Sequence, residues 1–181
     1  MVNDYTVLEG IVRHSYAAVV WSHKIQEKQA DIYSKKFRFI EKLKIVTSAA
    51  TSAGVFSLIF TDPLCLKITS AIVSFVSAYI SFYYKSFDLQ RLIASHKTTA
   101  NKLLAARERY KIILGQIKLH VDSAESIFNE YMKLNDCVVL IYQEAPNTTD
   151  EAVAMAKEAL RVTKDNSFLC PQESIAGNAP P

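Results

Sequence analysis

The chain has little glycine, four residues in 181. A glycine-rich loop that cradles phosphate is therefore not available to it. Its three cysteines, Cys65, Cys137 and Cys170, are odd in number and lack metal-ligand spacing. They define no disulfide framework and fit a reducing compartment. No Ser-His-Asp or Cys-His arrangement can be built from the spacing. His14 and His23, or His23 and Glu27, could face one another along a helix, but a zinc site needs more ligands than that. The net charge of +3 is mild and gives no general case for nucleic acid. No cofactor is implied, and an enzyme is not expected. Met1 is followed by Val2-Asn3-Asp4-Tyr5 instead of a basic segment and an apolar core. A cleavable signal peptide is therefore not expected, and the first apolar run would itself direct insertion.

The most telling shortage is of charge within two apolar runs. Ile45–Thr61 carries none, and neither does Ile68–Tyr84. Between them Asp62 and Lys67 flank Pro63, which forbids a continuous helix. A helix apolar on every side must be buried in protein or lipid. Each run is about 25 Å long at ~1.5 Å per residue, against a hydrocarbon core of roughly 30 Å. Lys44, Lys67 and Lys85 can snorkel to the interface, and Tyr79, Phe82, Tyr83 and Tyr84 make an aromatic belt. The expected fold is all-α, a transmembrane helical hairpin whose helices extend into a cytoplasmic helical bundle. The alternative is a hairpin buried inside a water-soluble bundle.

The expected organisation has five parts. Residues 1–44 are an N-terminal cytoplasmic helical segment, with Tyr5, Leu8, Val12, Tyr16, Val19 and Val20 at helical steps. Residues 45–84 are the two-span hairpin. Residues 85–145 are one long cytoplasmic helix, its stripe running Leu89, Leu92, His96, Ala100, Leu103, Arg107, Tyr110, Leu114, Ile117, Val121, Ala124, Phe128 and Tyr131. Gly115 is its one weak point. Residues 146–165 hold a short C-terminal helix capped by Thr149, and 166–181 a flexible tail. Basic residues gather at Lys35–Lys44 and again at Lys85, Arg91, Lys97 and Lys102, while the connecting turn has only Lys67. Both termini are therefore expected in the cytoplasm of a cell whose inner membrane holds the hairpin.

Ser70, Ser74, Ser77 and Ser81 recur at four-, three- and four-residue steps and form one hydroxyl stripe. Thr47, Ser48, Thr51, Ser52 and Ser57 accompany them on the first run. Small hydroxyl residues permit close helix packing. They also line a wetted pore once several hairpins assemble. Both uses stay open on the spacing alone. Taking Ile45 and Tyr84 as level, the cytoplasmic helices should pair antiparallel, with Glu27 near Lys102 and Asp31 near Lys97 or His96. The cluster Arg107, Arg109, Lys111 suits either a phosphate or, more plainly, a solvated helix face.

The stretch Trp21-Ser22-His23-Lys24-Ile25-Gln26-Glu27-Lys28-Gln29-Ala30-Asp31 precedes the first run. His96-Lys97-Thr98-Thr99-Ala100-Asn101-Lys102-Leu103-Leu104 and Arg107-Glu108-Arg109-Tyr110 follow the second. With the hairpin between, the chain from about Tyr16 to Leu114 resembles the SLATT domains of prokaryotes. These are small two-span proteins of nucleotide-second-messenger and other conflict systems. The resemblance implies a pore-forming membrane effector of bacterial defence that oligomerises in the lipid bilayer. It also implies a trigger supplied by a separate sensor or second-messenger protein, or by a ligand on the cytoplasmic helices. A different class of function is a membrane-anchored scaffold that positions a cytoplasmic partner.

Overall fold

The computed structural model describes residues 2–58 and 64–161. The turn residues 59–63 and the tail expected at 166–181 lie outside them. The described residues form five helices: α1 Val2–Leu58, α2 Leu64–Phe87, α3 Leu89–Leu119, α4 Ala124–Glu144 and α5 Asp150–Arg161. The fold is all-α. The helix expected to run from the N-terminal segment into the first apolar run is present as α1, unbroken over 57 residues.

The chain divides into two units, one of residues 1–30 with 94–181 and the other of residues 31–93. The first is a helical bundle with an ordinary core. Leu8, Val12, Tyr16, Val19 and Val20 of α1 are buried with Leu103, Ala106, Tyr110, Ile113 and Ile117 of α3 and Ile127, Tyr131, Leu134 and Val138 of α4. Their three- and four-residue steps place each set on one helix face. Burial of side chains this size contributes about 1.5–3 kcal/mol each.

The long helix expected over 85–145 is instead three pieces. Asp88 breaks it first, with φ at 29°. That left-handed conformation suits Asp better than most side chains. The Asp88 carboxylate accepts from the Arg91 amide at 3.2 Å and its carbonyl from Leu92, so it caps α3. The second break is at 120–123, and Gly115 stays inside α3. His120 takes φ 49°. Val121 N–H bonds back to Gln116 and His120 N–H to Ile117, the closure typical of a helix C-terminus. Ser123 then opens α4, its hydroxyl accepting from the Ser126 amide. The restart changes the phase. Val121 and Phe128, expected on the buried stripe, are exposed, and Ile127, Leu134 and Val138 are buried in their place. Tyr5 clasps this corner from α1. Its hydroxyl donates to the Asp122 carbonyl at 2.9 Å, and its ring meets His120 edge-on at 4.6 Å.

Candidate functional site

Residues 31–93 are built the other way round. Among their described side chains only Leu89 is buried. Phe75, Phe82, Leu64 and Ile72 of α2 are 76, 75, 71 and 59% exposed, and Ile45, Val46 and Phe56 of α1 more than 60%. These apolar side chains point out, and a set of hydroxyls borders the space between the arms. A groove of about 360 Å³ is lined by Ser48, Thr51 and Ser52 of α1 and by Ser74, Ser77, Ala78 and Ser81 of α2. Ser70 continues the stripe against Gly54, where a β-carbon would stand 2.8 Å from the serine oxygen. The four serines expected to share a face therefore do so, and that face borders the other arm.

Three of these hydroxyls, and the neighbouring Thr47 and Thr69, bond back to their own helix. Thr47 donates to Lys44 O, Thr51 to Thr47 O, Ser52 to Ser48 O, Thr69 to Cys65 O and Ser81 to Ser77 O, at 2.7–3.1 Å. Back-bonding to the preceding turn removes the need for water. It leaves the oxygen free to accept one more bond. The seam is thus compatible with hydrocarbon outside it and water within it.

Among the described residues no helix is long and apolar enough to cross a membrane. The first expected run, Ile45–Thr61, is described only as far as Leu58, and the side chains of Tyr83 and Tyr84 at the end of the second lie outside the described residues.

In the other unit the expected pairing partners are differently matched. Glu27 accepts from Lys24 at 2.7 Å and Lys102 reaches Glu144 at 2.8 Å. His96 stands opposite Gln26, where the expected register put Asp31. Its Nδ1 is 2.6 Å from Gln26 Oε1. An amide oxygen only accepts, so Nδ1 carries the proton. The register assumed that Ile45 and Tyr84 were level. In the hairpin itself Gly54 faces Ser70, because α2 begins at Leu64, straight after Pro63, and not at Ile68. Ile45 therefore falls opposite the turn around Tyr79.

This pairing opens a buried polar network that the sequence reading missed. Gln26 Nε2 donates to the Pro146 carbonyl at 3.2 Å. Gln29, fully buried, accepts from both the amide and the hydroxyl of Thr149, at 2.8 and 2.9 Å. The segment 145–149 is thereby pinned to α1, and Thr149 in turn caps α5. Burial holds the pKa of His96 below its usual value. His23 is lowered as well, by burial first and then by Arg107 and Lys24, against the opposing pull of Glu27. His14 is exposed and does not join His23 in a ligand set. Among the described residues no three His, Cys, Asp or Glu side chains are grouped to hold a metal ion. In the basic cluster Arg107 and Lys111 both bind Glu108, which offsets their charge.

No curated protein and no solved structure matches the chain. One family model does, the SMODS and SLOG-associating 2TM effector domain family 4, over residues 8–172. That span covers the helical bundle, the hairpin between its two halves and the Gln26–Pro146 and Gln29–Thr149 pins. The chain belongs to this SLATT family of two-span effector domains.

Proposed function

We propose that this protein is a membrane-embedded effector of bacterial conflict systems that oligomerises and permeabilises the inner membrane. The observation that carries the reading is the inverted hairpin. Ile45, Phe56, Leu64, Ile68, Ile72, Phe75 and Phe82 are turned outward, and Ser48, Thr51, Ser52, Ser74, Ser77 and Ser81 line the groove between the arms. In water so much contiguous apolar surface is a liability; in a bilayer it is the stable arrangement. One hairpin encloses no channel. Several hairpins around an axis, each presenting its groove, would wall a water column with Ser74 and Ser77 near the middle. The basic residues of Lys35–Lys44, against the sparse charge of the turn, support a topology with both termini in the cytoplasm. The trigger would come from a separate sensor or second-messenger protein acting on the bundle. The protein is not proposed as an enzyme.

A scaffold reading draws on a different observation. Phe128, Met132 and Val139 are exposed along α4 and offer a partner an apolar face. Release of a trapped dye from vesicles separates the two. An effector in its assembled state should empty them, and a scaffold should leave them sealed even when oligomeric.

A further inference from the structure

The outward apolar face of α1 begins before the uncharged run. Phe39, 68% exposed, and Leu43, 38% exposed, precede Val46 at four- and three-residue steps, and Ala50 and Ala53 continue the same exposed line. Around Phe39 and Leu43 stand Lys35, Lys36, Arg38 and Lys42, all exposed. With Lys44 they face only two acidic residues in 31–44, Asp31 and Glu41, and Glu41 is half-buried. A solvated helix face has no use for an exposed phenylalanine among four free-standing cations. A helix leaving the membrane through an anionic headgroup layer has a use for both.

We propose that residues 35–44 of α1 form a binding surface for anionic phospholipid headgroups. The proposal rests on the membrane reading of the hairpin and adds a lipid preference to it. Its physical basis is the spacing along the helix. Counting from Ile45 at 1.5 Å per residue, Lys42 and Lys44 fall within a headgroup layer of about 5–7 Å. Arg38, Lys36 and Lys35 follow within about one further Debye length of ~8 Å, where the surface potential of an anionic leaflet still acts. Leu43, about 3 Å from Ile45, falls inside that layer, and Phe39, about 9 Å out, stands at its outer edge. The occupant follows from charge complementarity and from continuity with the apolar surface of the hairpin.

Flotation of the full chain with sealed vesicles tests this, comparing phosphatidylcholine alone with phosphatidylcholine mixed with phosphatidylglycerol. The expected result is association with both and a clear preference for the anionic vesicles, weakened by salt. Changing Lys35, Lys36, Arg38 and Lys42 together to Gln should remove the preference, at roughly fivefold per cation, with helical circular dichroism unchanged. The charge-keeping set Lys35→Arg, Lys36→Arg, Lys42→Arg should retain it, which controls for folding. Equal binding of the unaltered chain to both vesicles would overturn the lipid preference while the hairpin's insertion stands. A preference that survives in the Gln variant overturns it too. Binding to neither vesicle would overturn the membrane reading along with it.

Discussion

Gly54 and Ser70 meet so closely that a β-carbon on the glycine would lie 2.8 Å from the serine hydroxyl. The arms of the hairpin touch here through a hydrogen and a rotatable oxygen. Gly54→Ala is predicted to be nearly neutral, because the helix gains about 1 kcal/mol of propensity while Ser70 turns aside. Gly54→Leu has no such escape. Nitroxides on Ile45 and Tyr79 should move apart in the leucine variant and keep their separation in the alanine one.

Ser74 and Ser77 line the groove between the arms. Ser74→Leu should preserve expression and membrane insertion, since leucine is at home in lipid. It should abolish conductance or toxicity by drying the narrowest level. Ser74→Ala should do far less. If Ser74→Leu and Ser77→Leu both leave flux and toxicity unchanged in an active protein, the stripe is a packing seam alone.

Gln29 holds the start of α5 through two hydrogen bonds from Thr149. The buried face of α5 is otherwise Ala152, Ala156 and Ala159, which bury little apolar surface. Gln29→Ala should therefore cost about 1 kcal/mol, because both bonds from the exposed Thr149 are lost while the buried, unpartnered Gln29 Nε2 is removed with them. Amide exchange in 150–161 should accelerate while the core amides of α3 stay protected. Protection of α5 equal to that of the unaltered chain would show that the pin is dispensable.

His96 is buried and kept neutral, its pKa held below the usual 6.5, and His23 shifts the same way. Unfolding lets both take up protons. The bundle is thus fully stabilised by this effect above about pH 6.5. It loses that stability as pH falls through 6.5 toward the lower folded values. Carboxylates with lowered pKa, Glu27 and Glu108, add their own loss only at lower pH. Thermal melts between pH 7.5 and 5 should show a falling midpoint, flatter in His96→Asn, whose amide can still donate to Gln26.

Much of the bundle was legible because apolar spacing reports burial directly. Leu8, Val12, Tyr16, Val19 and Val20 of α1, and Leu89, His96, Ala100, Leu103, Tyr110 and Ile117 of α3, are buried on the expected stripes. Thr99, Ala106 and Ile113, by contrast, are buried beside the α3 stripe, and Leu92, Arg107 and Leu114 on it are half-buried. The breaks at Asp88 and His120 were not, since neither position has proline or glycine. Both take left-handed backbone without them. Ser123 with Glu125 behind it caps α4, but the apparent continuation of the stripe through Val121 to Tyr131 masked that start. The hydroxyl stripe was visible as a period, and its partner across the groove was not. Register between two helices depends on where the turn begins, and Leu64–Lys67 joined the helix. Gln26 and Gln29 gave no signal at all, because glutamine on a charged helix reads as surface until the 145–149 segment folds over it.

The claim on which the account turns is that the hairpin crosses the bilayer with its turn outside. Cys65 stands at the start of α2 and is exposed. With Cys137 and Cys170 replaced, a membrane-impermeant maleimide applied to intact spheroplasts should label Cys65. A chain carrying only Cys137 should label solely after the membrane is opened. If Cys65 stays unlabelled until lysis, or if Cys137 reacts as readily from outside, the hairpin does not span the membrane in this sense.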